Sequence, residues 1–526
     1  VSDHPWWRDA IGYQVYLPSF QDSDGDGWGD LPGLLSRLDY LHDLGVTLLW
    51  ISPFHPSPMR DHGYDITDYR AVDPRYGTLS DVDALLSAAH ERGMRVVADL
   101  VVNHTSSEHP WFVSSRRSRT DPLRDRYIWR DPAPDGGPPN NWLSHFGGPA
   151  WTFDQRTGQY YLHLFTPHQP DLNWQHPDVA DEVDGILRFW FDRGLDGFRV
   201  DTAHYLTKHP DLPDNPWLAP DDVPVQGGVA AEWLTQDHRY DIEQPSAMAI
   251  HRRWRAIADA YDAVLIGEVY ILDPGRLASY VEADGLHSAF WFGLVESDWA
   301  PDRVATMLRA AAAAAPNLSW VQSSHDRRRA ATRYGSARRA TAVATLLMGL
   351  PGIPFLYNGE ELGLRDGTIP PGQAQDPLAA ADGSQARDGA RTPMPWAPGP
   401  GLGFTTAPAA WLPFGDRAPA DTVAVQQHDP TSPLSTHRRL IATRARTAHQ
   451  RSAPVWLAHT GDVLAYRTGS VVVAANLSDR PHPFDLGPGR WRCEFDTDNP
   501  AAERVPGKLD PGQAVIARHH APEDPD

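Results

Sequence analysis

Short runs rich in Val, Ile and Leu alternate along most of this chain with longer segments in which apolar residues recur every three or four positions. That alternation is the pattern of a parallel sheet wrapped by helices. It predicts eight strands, at residues 11–17, 46–51, 95–102, 197–201, 263–268, 286–291, 318–321 and 353–356. Amphipathic helices are predicted at 31–44, 79–92, 179–193 and 245–261, the first two ended by Gly45 and Gly93, where a helix C-terminus favours glycine. Eight such units point to an α/β fold closed into a (β/α)8 barrel of the TIM type.

Two stretches break the pattern. Residues 104–174 are rich in Pro, Gly, Asn and Trp with weak periodicity, which predicts an irregular domain inserted after the third strand. A second Pro- and Gly-rich stretch, 360–432, follows the eighth strand. Beyond a helix predicted at 435–449, the texture becomes VWLAHTGDVLAYRT and SVVVAANLS, alternating strands that end in a polar tail. This predicts a C-terminal antiparallel β-sandwich domain. The expected division is a barrel from 1–103 and 175–449, an inserted domain at 104–174 and a C-terminal domain at 450–526.

With 526 residues, 41% hydrophobic and 22% charged, the chain has the makings of a large globular core plus smaller domains. A formal net charge of −21 repels phosphate backbones and anionic lipid, so nucleic acid and membranes are not expected as partners, and a neutral small molecule is. Cys493 stands alone and is read as a filler in a C-terminal strand. With no intrachain disulfide to form, no signal-like N-terminus and no long apolar span, a cytoplasmic location is expected. Oligomeric state is not legible. Twenty Trp residues supply core anchors and flat faces suited to stacking on sugar rings.

Active sites of such barrels lie at the C-terminal ends of the strands. Here the third strand runs into Asp99 and His104, the fourth into Arg199 and Asp201, the fifth into Glu268 and the seventh into His325 and Asp326. Several acids converging on one mouth would repel one another unless used. Cleaving a glycosidic bond with retention needs two carboxyls about 5 to 5.5 Å apart, one nucleophilic and one acidic. Asp201 and Glu268, on adjacent strands, can supply that pair. Arg199, on the same face as Asp201, is expected to hold it ionised, and the apolar neighbours Leu265 and Ile266 to favour a protonated Glu268.

These segments resemble the four sequence regions of the α-amylase superfamily, glycoside hydrolase family 13, and the likeness extends over essentially the whole chain. QPDLNW at 169–174, DHGYDITDYR at 61–70, YNGEELG at 357–363 and RTPMPW at 391–396 resemble strings of its oligo-1,6-glucosidase and α-glucosidase branch. The resemblance implies Asp201 as nucleophile, Glu268 as acid and base, and Asp326 as the third carboxylate, which binds and distorts the sugar. It implies that His104 and His325 bond hydroxyls of the glucose before the cleaved bond. Asp61 and Tyr64 would hold that sugar's far end, with Arg391 closing on Asp61. A blocked pocket of that kind releases one glucose at a time. Thr202, where the branch has Val for α-1,6 and Ala or Thr for α-1,4 preference, points to α-1,4 bonds such as those of maltose. Ser324 stands where the family commonly has Asn. A glucosyltransferase, or an isomerase of the sucrose or trehalose type, would use the same residues.

In DSDGDGWGD at 22–30, Asp22, Asp24, Asp26 and Asp30 fall at relative positions 1, 3, 5 and 9, with the Trp28 carbonyl at 7. That spacing wraps oxygen ligands around Ca2+, although Gly33 at position 12 excludes an EF-hand. The resembling α-glucosidases carry a structural metal in this loop, so Ca2+ is expected, with Mg2+ the alternative. His62, His145, His163, His168 and His176 lack metal-ligand spacing and are read as surface or packing residues, so no catalytic zinc is expected. No Gly-rich phosphate cradle is seen, so no organic cofactor is expected.

Overall fold

The computed structural model describes residues 5–224, 226–282, 284–381, 386–447, 452–458 and 462–520. All eight predicted strands form. They are β1 (Gly12–Val15), β2 (Leu48–Ile51), β3 (Arg95–Leu100), β4 (Gly197–Val200), β5 (Val264–Gly267), β6 (Ser288–Trp291), β7 (Leu318–Trp320) and β8 (Ile353–Tyr357), and they close into a parallel barrel in sequential order. The strands alternate cleanly. Leu48, Trp50, Val97, Val264, Ile266, Phe290, Ile353 and Phe355 fill the barrel, whereas Leu49, Ile51, Val96, Ala98 and Leu265 face the helices. Gly12 leaves room for the Phe355 ring, whose Cδ1 would lie 2.4 Å from a Cβ at that position.

The helices follow the predicted spans to within two residues at their outer ends. The one expected at 31–44 is two, Leu31–Ser36 and Leu38–Leu44, separated at Arg37, whose ψ of 7° is not helical. Gly45 closes the second in the left-handed region at φ 93°. Leu79–Glu91 begins on a Thr78–Asp81 capping box, and Pro177–Asp192 and Ala247–Ala260 cover the others.

Within 104–174 the chain is more regular than its composition suggests. It forms the helix Pro110–Ser115 and a three-stranded antiparallel sheet of Trp129–Arg130, Gln159–Leu162 and Trp151–Asp154. Phe112 packs among Tyr127, Trp129 and Tyr161 there. After the helix Pro433–Thr447, Val455–Leu457, Val463–Thr468, Val471–Asn476, Arg490–Asp496 and Ala514–His520 form a five-stranded antiparallel sheet. A two-stranded sheet at His482–Pro483 and Lys508–Leu509 accompanies it, and Phe484 and Leu509 pack on its apolar residues Val463, Ala465, Ala474 and Val515. The predicted helix end at 448–449 and the polar tail from 521 lie outside the described residues. No described helix is long and apolar enough to cross a membrane.

Candidate active site

β4 and β5 pair in register from Gly197 opposite Val264 to Val200 opposite Gly267. Asp201 and Glu268 are the next residues on each chain, so the register itself sets them side by side at the barrel mouth. The backbone continues the ladder, with Glu268 N donating to Val200 O at 2.8 Å and Ala203 N to Glu268 O at 2.9 Å.

Arg199 sits beneath them, 2% exposed, and joins three carboxylates. Its Nη1 donates to Asp99 Oδ1 at 2.7 Å and to Asp201 Oδ1 at 2.6 Å, and its Nη2 reaches Glu268 Oε2 at 2.8 Å. Thr202 links the pair again, through N to Glu268 Oε2 at 2.9 Å and Oγ1 to Asp201 Oδ2 at 3.3 Å. The expectation of an apolar setting for Glu268 is therefore corrected: Leu265 and Ile266 pack on either side of the barrel wall, while the carboxylate lies in a charged cluster. The role read for Arg199 changes too. Arg199 favours the ionised form of Asp201 but is shared among three carboxylates. Burial, with Glu268, Asp99 and Asp326 nearby, pushes Asp201 well above the usual carboxylate range against the pull of Arg199. Burial likewise pushes Asp99 up to about 6.

Opposite lies Asp326, held below the ordinary carboxylate range: burial would raise it, but His325, Arg387 and Arg391 outweigh burial. His325 is clamped by Gln14 Nε2 at 2.6 Å on Nδ1 and by the Tyr64 hydroxyl at 2.9 Å on Nε2, between the stacked rings of Tyr64 and Tyr16. Ser324 takes no part in this clamp; its hydroxyl instead accepts from Asp326 N at 3.2 Å. His104 is fixed by the Tyr64 carbonyl at 3.0 Å and by Gln169 at 3.1 Å, and Gln169 also donates to Asp61 Oδ2 at 3.1 Å. The string QPDLNW therefore acts as a strut: Gln169 ties His104 to Asp61, and Asp171 pairs with buried Lys208 at 2.7 Å.

The expected partner of Asp61 is corrected. Arg391 donates to the His325 carbonyl at 2.8 Å and to Asp326 Oδ1 at 2.9 Å. It is Arg387 that reaches Asp61, with Nη2 on Asp61 Oδ1 and Nη1 on Asp326 Oδ1, both at 3.0 Å, and Asp376 holds that guanidinium from behind at 2.9 Å. Nothing in the sequence singled out Arg387, Asp376 or Lys208. The reading of His145 is also corrected, since with Phe146, Phe165, Tyr205 and Trp233 it lines the cavity wall. His62 and His163 are buried away from that wall, His168 is exposed and His176 is half-buried.

Asp61, Tyr64, His104, Arg199, Asp201, Thr202, Glu268 and Asp326 thus face one cleft of about 980 Å³, measured to its open mouth. Outside the cleft lining, the side chains of Asp22, Asp24 and Asp30 place one oxygen each within 4.8 Å of one another. Asp26 is turned instead to the backbone N–H of Trp28 at 2.7 Å.

Comparison with known proteins agrees with this geometry. A family model described as the alpha amylase catalytic domain matches residues 14–452. A protein of Rhizobium meliloti named probable alpha-glucosidase is 43% identical over 457 residues, covering 84% of this chain and 83% of its own. An oligo-1,6-glucosidase of Heyndrickxia coagulans is 36% identical over 538 residues, covering 93% and 95%. The solved structure of an alpha-glucosyl transfer enzyme, XgtA, superposes with a TM-score of 0.93 at 39% identity, over 98% of this chain and 100% of that one. The trehalulose synthase MutB gives 0.87 at 33%, over 98% and 100%. The chain belongs to the α-amylase family, glycoside hydrolase family 13, as an enzyme of its α-glucosidase group.

Proposed function

We propose that this enzyme is a retaining, exo-acting α-glucosidase that releases glucose from the non-reducing end of short α-1,4-glucosides. The observation that carries the reading is the pair Asp201 and Glu268, held in register and bridged by one guanidinium at 2.6 and 2.8 Å inside a cleft. Two carboxyls so close suit direct covalent capture rather than attack by an interposed water. Asp201 attacks the anomeric carbon while Glu268 gives its proton to the departing oxygen; water, deprotonated by Glu268, then cleaves the glucosyl ester. Asp326, His104 and His325 bond the sugar hydroxyls, and Asp61 with Tyr64 holds its far end.

The exo action rests on Arg387. Its guanidinium spans Asp61 and Asp326, and such a strap across the cleft would limit it to one glucose on that side. Thr202 after the nucleophile supports the α-1,4 preference. A second reading, net glucosyl transfer or isomerisation through the same glucosyl enzyme, is favoured by the likeness to XgtA, a structure titled as an alpha-glucosyl transfer enzyme. For the loop at 22–30, three converging carboxylates make an all-oxygen donor set that suits a hard cation. Asp22, Asp24 and Asp30, with the Trp28 carbonyl, would hold Ca2+, or Mg2+ in its place, as a structural ion, while Asp26 braces the loop backbone.

The test is the anomeric form of the glucose released from p-nitrophenyl α-D-glucopyranoside, whose leaving group is not a sugar, followed by NMR before mutarotation, alongside Asp201→Ala. α-Glucose appears first, and the variant loses turnover by a factor on the order of 10⁴ with its melting curve intact. First release of β-glucose, or near-normal turnover in the variant, overturns the mechanism.

A further inference from the structure

The cleft has a second end, on the Glu268 side, where the departing or attacking group must lie. Two residues past Glu268, Tyr270 stacks on Phe292 at 4.8 Å, and the Arg327 guanidinium lies 4.6 Å over the Tyr270 ring. All three line the cleft. Arg327 directly follows Asp326, and its Nη1 donates to the Asp326 carbonyl at 3.0 Å. Glu296 organises the group. Its Oε1 accepts from Arg327 Nε at 2.8 Å and from the Tyr270 hydroxyl, while its Oε2 accepts from Gly227 N at 3.2 Å.

Two features show that this arginine is seated for use. The seat employs Nε, Nη1 and the ring face, and leaves Nη2 with no hydrogen bond among the described residues. The loop at 226–228 lies flat on the guanidinium: a Cβ at Gly228 would meet Arg327 Nη1 at 1.9 Å and Cζ at 2.8 Å. Gly228 also has φ +68°, so both the backbone and the space require glycine. A structural ion pair with Glu296 alone would need neither the notch at 228 nor a place on the cleft wall.

We infer that Arg327, seated by Glu296 and Tyr270 under the side-chain-free Gly228, is the specificity residue for the acceptor, binding hydroxyls of a sugar or polyol that competes with water for the glucosyl enzyme. The inference rests on the glucosidase reading above. In the step it favours, an acceptor hydroxyl attacks the anomeric carbon, the ester to Asp201 breaks, and the hydroxyl proton passes to Glu268. Atoms and charge balance as in hydrolysis, with the acceptor in place of water. A polar, planar donor array beside an aromatic face suits a sugar ring, which offers hydroxyls on its rim and an apolar face.

The experiment measures, at high maltose, the ratio of oligosaccharide formed to glucose released by transfer and hydrolysis. Both products come from one intermediate, so the ratio does not depend on how much of a variant folds. Arg327→Ala lowers it at least tenfold, Arg327→Lys falls between, and Gly228→Ala, which displaces the guanidinium without deleting it, follows Arg327→Ala. A ratio within twofold of the parent in Arg327→Ala and Gly228→Ala overturns the inference. A parent protein that releases no glucose from maltose overturns the glucosidase reading and this inference with it, whereas a parent active on maltose with unchanged variant ratios overturns this inference alone.

Discussion

Thr202 has φ +40°, a left-handed backbone that β-branched residues rarely adopt, and it lies between the two carboxyls it contacts. Such strain, on the order of 1–3 kcal/mol, persists where the surroundings over-determine it. Here they do, because Thr202 N is needed by Glu268 and the turn must leave the strand at Asp201. Valine keeps the branching and deletes only the Oγ1 contact to Asp201, so Thr202→Val isolates the hydroxyl from the backbone. Losing one such hydrogen bond is worth about 1 kcal/mol, or roughly fivefold in rate. The variant is expected to raise isomaltose turnover relative to maltose by about that factor, and an unchanged ratio would count against the linkage preference. At this scale the sequence was legible where position carried meaning. Asp201, Glu268 and Asp326 stand at strand ends, and barrel strands point their ends at one place. Arg387 and Asp376 were not legible, because they lie in a Pro- and Gly-rich stretch whose path no periodicity predicts. The family resemblance points to Arg391 as the partner of Asp61, but Arg387, four residues away, has the reach.

Elements were legible to the degree that burial imposes a period. The eight strands emerged within a residue or two at most ends, since each is buried on both faces. The break at Arg37 did not, because both halves of that helix keep the same apolar side. The acidic loop at 22–30 shows what spacing carries and what it leaves open. Asp30 is the N-cap of Leu31–Ser36, accepting from Gly33 N at 2.6 Å, so its position answers to the helix as well as to any ion. Asp22 accepts from the backbone of Gly25 and Gly27, and the loop is tied to a distant segment by Trp411 N on Gly27 O at 2.9 Å and by the Trp28–Trp411 stack. An ion on Asp22, Asp24 and Asp30 would offset their repulsion and brace these contacts together. Ligand present at a hundred times its dissociation constant adds about 2.7 kcal/mol to folding. Treatment with EDTA should therefore lower the melting temperature by several degrees, with Ca2+ restoring it, while the initial rate of the still-folded protein changes little. A melting point that moves by less than about one degree would sink the structural ion.

At the scale of the molecule, one apolar core runs from the barrel helices into the C-terminal sheet. Leu346, Leu347 and Met348 of the helix Ala337–Gly349 share it with Leu464, Tyr466, Val471, Val473 and Ile516. The approach is close enough to forbid a side chain, since a Cβ at Gly349 would meet the Tyr466 hydroxyl oxygen at 2.3 Å and Val473 Cγ2 at 2.5 Å. Arg444 fastens the same corner, donating from Nη1 to the carbonyls of Met348 and Leu350 and from Nη2 to that of Gly352. Domains that move independently meet through more polar interfaces and can melt apart. A shared core with a buried arginine clasp predicts the opposite: barrel and sheet unfold as one unit, giving a single calorimetric transition. Gly349→Val tests where that coupling lies. The added methyls must push the helix off the sheet, at a cost on the order of 1–3 kcal/mol for overpacking, and the loss falls on both parts at once. The variant should melt about 1–3 °C lower in one transition, with glucose release and the near-ultraviolet signal lost together. Two separated transitions in the parent, or a variant whose sheet melts early while the barrel keeps its activity, would show that the two parts stand alone.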